Sequence, residues 1–187
     1  MVLIIFTHEK NSFSFFLPFL FLSLSSWTKE LHSDRESKYI LKETRKAISA
    51  TFPFETFSLE QKEQKLNTST FLEAHSFFNI ISEDALKGYA IIATAPSKTD
   101  SFEYLLLFDL NLKIKKVKVL IYRENYGGEI SSKRWLSQFI ESPEDDSFVY
   151  GDNISAISGA TISVKSITES INEVMVSLKR LESEKQI

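Results

Sequence analysis

Residues 103–122 read EYLLLFDLNLKIKKVKVLIY, and this stretch sets the architecture. Residues 103–108 (EYLLLF) and 114–122 (IKKVKVLIY) are rich in β-branched, aliphatic and aromatic side chains, which suit a pleated and packed surface. The five residues between them, DLNLK at 109–113, have hairpin length. A third run of the same kind, residues 88–95 (GYAIIATA), lies just upstream. Short strands joined at such spacing predict an antiparallel sheet. In the last run Val117, Val119 and Ile121 alternate with Lys116 and Lys118, so one face is expected to pack and the other to start in water. The lysines read as a solvated face.

Working outward, helical patterns flank the sheet. Residues 37–50 place Ile40, Leu41, Thr44, Ala47 and Ile48 on one side at helical spacing, and Pro53 stops the pattern. Residues 60–67 are polar enough for an exposed connection or a short helix before Phe71-Leu72 and Phe77-Phe78. Residues 131–140 (SSKRWLSQFI) read as a serine-capped helix with Trp135, Leu136, Phe139 and Ile140 inward. Glu141, Pro143, Glu144, Asp145 and Asp146 mark a loop. A closing helix over residues 161–182 carries a stripe of Ile167, Ile171, Val174, Met175, Leu178 and Leu181, which reads as core. The fold class is therefore α+β, an antiparallel sheet packed with helices.

The chain has 187 residues with 22 basic and 25 acidic side chains in no long block of one sign, so nothing in the charge points to nucleic acid. It contains no cysteine, which excludes disulfides, thiolate nucleophiles and metal–thiolate centres. His8, His32 and His75 share no metal-ligand spacing and read as ordinary histidines. Residues 13–24 (FSFFLPFLFLSL) form an uncharged apolar run followed by Ser25-Ser26. That run is short of the roughly 20 residues a membrane-spanning helix wants, and Pro18 interrupts it. It resembles a signal-peptide core. Residues 1–30 are accordingly expected to be a signal peptide or N-terminal anchor and residues 31–187 a single domain, with export to the periplasm or anchoring on the outer side of the membrane.

Two segments stand out as chemistry. Ser158-Gly159-Ala160-Thr161 opens onto the closing helix. A helix start presents unpaired N–H groups and partial positive charge, and Gly159 and Ala160 leave little side chain to keep a phosphate away. Thr161 adds a hydroxyl at that point. The second segment is the loop Tyr126-Gly127-Gly128-Glu129, where adjacent glycines permit unusual backbone angles and let a flat ligand approach the main chain. A tight turn with no ligand is the other reading of those glycines, and a plain helix start the other reading of the small-residue run.

Together, residues 122–140 (YRENYGGEISSKRWLSQFI) and 156–163 (AISGATIS) followed by a helix resemble the FMN-binding domain family, over roughly residues 85–182. These are small extracytoplasmic flavin domains related to the flavoprotein subunits of the Rnf and sodium-pumping NADH:quinone oxidoreductase complexes. The resemblance implies FMN esterified through its phosphate to Thr161, attached by a separate flavin transferase from FAD with a divalent metal. It also implies an electron-relaying role with an unknown redox partner, a membrane-bound one included, and no base of the domain's own. The family pattern carries an aspartate six residues before the acceptor threonine; Ser155 stands there, with Asp152 three residues earlier. The Thr-Pro-Gly of the respiratory subunits is replaced by Gly127-Gly128-Glu129, as in a stand-alone branch. Within this reading Tyr126 and Trp135 are the candidates to pack on the flavin ring, Gly127 and Gly128 bring main chain to its edge, and Lys133 or Arg134 balances charge on reduced flavin. A flavin reductase with dissociable FMN and a cofactor-free extracytoplasmic binding or scaffold protein are the alternatives.

Overall fold

The computed structural model describes residues 17–62, 75–140 and 147–187, with side chains from residue 34 onward. The chain divides into two units, Met1–Leu41 and Lys42–Ile187. The described part of the first is the beginning of helix α1 (Leu17–Thr51). Among the described residues no helix is long and apolar enough to cross a membrane. The acidic segment 141–146, the Phe71-Leu72 pair and the start of the apolar N-terminal run lie outside the described residues.

The second unit is built on five strands: β1 (Ser58–Gln61), β2 (Ser76–Ser82), β3 (Ala85–Pro96), β4 (Ser101–Phe108) and β5 (Ile114–Ile121). They form one antiparallel sheet in sequence order. The three expected strands are present, and two more precede them. β1 is an edge strand with three of its four residues exposed, so it shows no apolar alternation to read. β2 joins β3 through Glu83 and Asp84, both at positive φ (52° and 57°), a tight turn made without the glycine or asparagine that ordinarily signals it. At the β4–β5 turn the Asp109 carboxylate instead accepts from the backbone N–H groups of Asn111 and Lys113, both at 3.0 Å, a local reason for the chain to reverse there.

Strand β4 is buried on both faces, as a central strand covered on two sides must be. Phe102, Tyr104, Leu106 and Phe108 belong to the main core cluster together with Val117 and Val119 of β5, whereas Leu105 and Leu107 are fully buried outside it. The first face is covered by helices α2 (Lys133–Leu136) and α3 (Thr161–Ser183). On the α3 stripe Val164, Ile167, Ile171 and Val174 are fully buried, and Met175, Leu178 and Leu181 nearly so. Small hydroxyl residues let this helix approach the sheet closely while staying satisfied: the Ser170 hydroxyl and the Tyr104 hydroxyl are 2.5 Å apart in the core, and Thr168 donates to the Val164 carbonyl at 2.7 Å. Burial holds the Tyr104 phenol far above its ordinary range.

On the other face lie Thr44, Ala47 and Ile48 of α1, all buried, and Lys118 of β5 pairs with Glu43 at 2.5 Å. The alternate lysines therefore do not simply face water; Lys118 meets the last turns of α1, whose carboxylate balances its charge, and Leu120 on the same side is buried. Leu41 is a second departure, being 41% exposed where the helical spacing placed it inward. The segment 131–140 is not the one helix expected: a 3-10 turn (Gly128–Ser131) precedes it, and it holds the single turn α2 and a second 3-10 turn (Ser137–Phe139). Ser132 caps α2 by accepting from the Trp135 N–H at 3.2 Å, as expected of a serine start. The tighter 3-10 turns rotate Ile140 outward to 38% exposure, whereas Trp135, Leu136 and Phe139 are buried.

Gly88 in β3 reports how tightly the hairpins are packed. A Cβ there would sit 2.3 Å from the backbone oxygen of Phe108, which cannot rotate away. Gly88→Ala is expected to lower stability by about 1–3 kcal/mol, read as a lower urea midpoint with an unchanged slope.

Candidate functional site

The site forms where two loops meet beside the start of α3. The first follows β5 and runs through Tyr122, Glu124 and Tyr126 to Gly127. The second, residues 147–160, returns the chain to the helix. Its early part is docked on α3 by Asn172, which accepts from the Phe148 N–H at 2.9 Å and donates to the Phe148 carbonyl at 2.8 Å. Its later part is held on α2 and the 3-10 turn after it: the Trp135 indole N–H donates to the Ser155 carbonyl at 2.8 Å, and the Ser155 N–H donates to Gln138 Oε1 at 2.8 Å.

The loops touch at Gly127 and Ala160. Gly127 has φ 72°, and a Cβ on it would lie 2.3 Å from the Ala160 Cβ. Gly159, at φ 79°, lies over the Tyr126 Cβ, which a side chain would meet at 3.7 Å. Both glycines are thus required by their backbone angle, and Gly127 by contact as well. Gly128 differs: nothing lies within 4 Å of a Cβ there, and its φ is ordinary.

Helix α3 begins at Thr161 with Ala160 as its N-cap residue, and no side chain caps it. Alanine is among the poorest N-cap residues because it has no acceptor for the first-turn amides. A 23-residue helix therefore starts with its amide groups and partial positive charge turned to an open space. That space is a cavity of about 400 Å³, within the range of small-molecule sites. Gly159, Ala160, Thr161, Ile162 and Ser163 line it from the helix side, Tyr122, Glu124 and Tyr126 from the β5 loop, and Lys98 from the β3–β4 turn. Tyr126 and Ile162, 78% and 50% exposed, put an aromatic and an aliphatic surface at the cavity. The Tyr122 hydroxyl lies 3.1 Å from Ser163 Oγ, tying the end of the sheet to the first turn of α3.

Glu124 stiffens the cavity from another side. Its carboxylate accepts from Ser97 Oγ at 2.7 Å, the Thr99 N–H at 2.6 Å and Thr99 Oγ1 at 2.9 Å. The Ser97 hydroxyl first, then the turn's backbone donors and the Thr99 hydroxyl, pull its pKa down to about 2. His75, away from this region, has its pKa lowered by burial.

Of the residues read from sequence, the structure thus brings Tyr126, Gly127, Gly159, Ala160 and Thr161 together. Ser158 is exposed in the turn just before them. The others lie elsewhere. Glu129, Arg134 and Trp135 line a separate groove of about 440 Å³ with Gln138 and residues 155–157, and Arg134 is ion-paired to Glu129. Trp135 is 4% exposed and packs edge-on against Phe139, so it serves the core. Lys133 is exposed and lines neither space. Ser155, where the resemblance expects an aspartate, is exposed in the second groove, and Asp152 is exposed in the turn before it. Tyr122, Glu124 and Lys98 were missed. Tyr122 and Glu124 lay inside the quoted motif but read as its flank, and Lys98 sits in a polar turn with no pattern of its own. A larger cavity, about 560 Å³ between Phe52, Phe54 and Lys87, contains none of the motif residues.

Residues 100–176 match the FMN-binding domain family. The match starts at β4 and ends in α3, so it contains both loops and the run 158–161. No curated protein matches the chain. The chain carries an FMN-binding domain, and FMN is its cofactor. The residues present suit that group: an uncapped helix start for its phosphate, glycines where the backbone must come close, and aromatic and aliphatic surface for its ring.

Two outcomes follow. Gly127→Ala, which adds a clash to a strained φ, is expected to cost about 2 kcal/mol or more, while Gly128→Ala stays within about 0.5 kcal/mol, both by urea denaturation. Glu124 has a depressed folded pKa, so the stability it contributes is complete above its ordinary value of 4.5 and is lost as pH falls toward about 2. Urea midpoints measured from pH 6 to pH 2 should fall more steeply for wild type than for Glu124→Gln and converge at the acid end.

Proposed function

We propose that the domain holds FMN as a phosphoester of Thr161 and relays electrons between partner molecules outside the cytoplasm. The observation that carries the attachment is the state of Thr161: an exposed hydroxyl on the first residue of an uncapped helix, opening on the cavity beside Gly159. A phosphodiester there keeps its negative charge against unpaired amides and helix dipole. The covalent bond also removes any dependence on free FMN, a gain for a protein beyond the cytoplasmic flavin pool. Among the described residues no histidine lines the cavity as a base for the hydroxyl, and Glu124, which does line it, is engaged with the β3–β4 turn, in keeping with attachment by a separate flavin transferase.

FMN, when bound, supplies one- and two-electron chemistry. The chain's own residues bind and orient it: Gly127 and Gly159 bring the loops together, Tyr122 braces the helix start, and Tyr126 and Ile162 offer surface to the ring while leaving the cavity open to a redox partner. The extracytoplasmic setting rests on the apolar run 13–24.

Intact-mass analysis of the protein made together with a flavin transferase tests the attachment. Wild type should gain one FMN less water and stay yellow after denaturation and gel filtration; Thr161→Ala should show the unmodified mass. Flavin released by denaturant from wild type would instead indicate a dissociable cofactor, and an unmodified, colourless wild type would overturn the assignment.

A further inference from the structure

Helix α1 presents two unlike sides over its last turns. Thr44, Ala47 and Ile48 are buried on the face of the sheet opposite α3, whereas Lys42, Arg45 and Lys46 are exposed. Arg35 and Lys38, also exposed, precede them on the same helix. At about 100° per residue, these five basic side chains fall within an arc of roughly 100° on the side of the helix away from the buried residues. The acids of the stretch lie outside that arc. Asp34, at its border, pairs with Lys38 at 2.7 Å, and Glu43, nearer the sheet, pairs with Lys118 of β5. Glu36 lies about 80° beyond the arc's other edge. The chain as a whole has a net charge of -3, so the arc is a local basic surface on an acidic molecule.

Two features favour a lipid surface over other anionic partners. The same helix begins at Leu17, inside the apolar run 13–24, which is too short to span a bilayer. An apolar stretch followed by a basic helix side is the pattern of an interfacial anchor. Tyr39 and Leu41, 49% and 41% exposed, flank the arc on its two sides. Exposed apolar and aromatic side chains beside lysine and arginine suit the headgroup region, where an amphipathic ring is at home.

We propose that the outward side of α1 rests on an anionic membrane surface, with Arg35, Lys42, Arg45 and Lys46 toward the phospholipid headgroups. Each basic residue near such a surface adds to the attraction, and the sum falls off with salt. The opposite side of the helix stays packed on the sheet. The Thr161 cavity, at the start of α3, then lies on the side of the sheet away from the lipid and is open to a partner in water. The proposal does not depend on the Thr161 ester.

The test is co-sedimentation of the full chain with vesicles of phosphatidylcholine alone and of phosphatidylcholine containing about one-third phosphatidylglycerol. The readout is the difference between the two, to which partition of the apolar run contributes equally. Wild type is expected to bind the anionic vesicles about tenfold more tightly at low salt, an excess that fades by about 0.5 M salt. Lys42→Gln/Arg45→Gln/Lys46→Gln should lose most of it. Because Arg45 lies over the Phe57 ring, 5.9 Å from its centroid, Lys42→Gln/Lys46→Gln serves as a second variant that keeps this contact and should still lose a large part. Lys42→Arg/Lys46→Arg should retain the excess, as should Lys165→Gln/Lys179→Gln/Arg180→Gln, which removes the same charge from α3. Thr161→Ala should bind as wild type does. Equal binding of wild type to both vesicles overturns the proposal, and so does an equal loss in the α3 variant, which assigns the attraction to total charge. Binding to polyglutamate that the α1 variants lose, with no phosphatidylglycerol excess, overturns it in favour of an acidic protein.

Discussion

The close approach of Gly127 to Ala160 is the contact on which the site depends. With no Cβ at Gly127, the loop after β5 can lie directly against the residue that begins α3, and any side chain would push the two apart. Everything that makes the helix start usable follows from that proximity. Tyr126 comes to lie beside Gly159, Tyr122 braces Ser163, and the first-turn amides of α3 open into a cavity instead of bulk water.

The second constraint is the double coverage of β4. A strand with six aliphatic and aromatic side chains in eight positions leaves no face for water, so helices must pack on both sides. Packing α3 on one side requires small hydroxyl residues along it, and these do more than fit. Ser170 satisfies the buried Tyr104 hydroxyl, and Ser163 and Ser166 bond to the end of β5 and the end of β3. The helix start is therefore located by hydrogen bonds from two strands as well as by apolar burial, which keeps the cavity's walls in register with one another. Glu124 extends that logic to the β3–β4 turn, where a strongly acidic carboxylate spends its charge on ordering the main chain.

The elements legible in the sequence were those whose period matched their burial. β3 to β5 alternate or run continuously apolar as their two covered faces require, and the α3 stripe returns at helical spacing on one packed side. β1 and β2 were illegible because an exposed edge strand has no buried face to mark, and because a tight turn of Glu83-Asp84 hides the hairpin that glycine would have announced. Residues 131–140 were misread as one helix because local spacing cannot distinguish a single α turn followed by a 3-10 turn from a continuous helix; Ile140 ends outside for that reason.

By itself the sequence determined the α+β class, the phosphate-suited helix start at residues 158–161, and membership of residues 100–176 in an FMN-binding family, because each rests on short-range pattern and residue chemistry. Only the tertiary structure decided which side chains share the cavity. Trp135 left for the core, since a large apolar ring gains more from burial among Phe139 and its neighbours than from a solvent-open groove. Arg134 was taken by Glu129, and Lys98, twenty-nine residues from Gly127 and farther from Gly159, was carried to the site by hairpin geometry alone. Sequence distance records none of this, because antiparallel pairing brings together residues that the chain keeps apart.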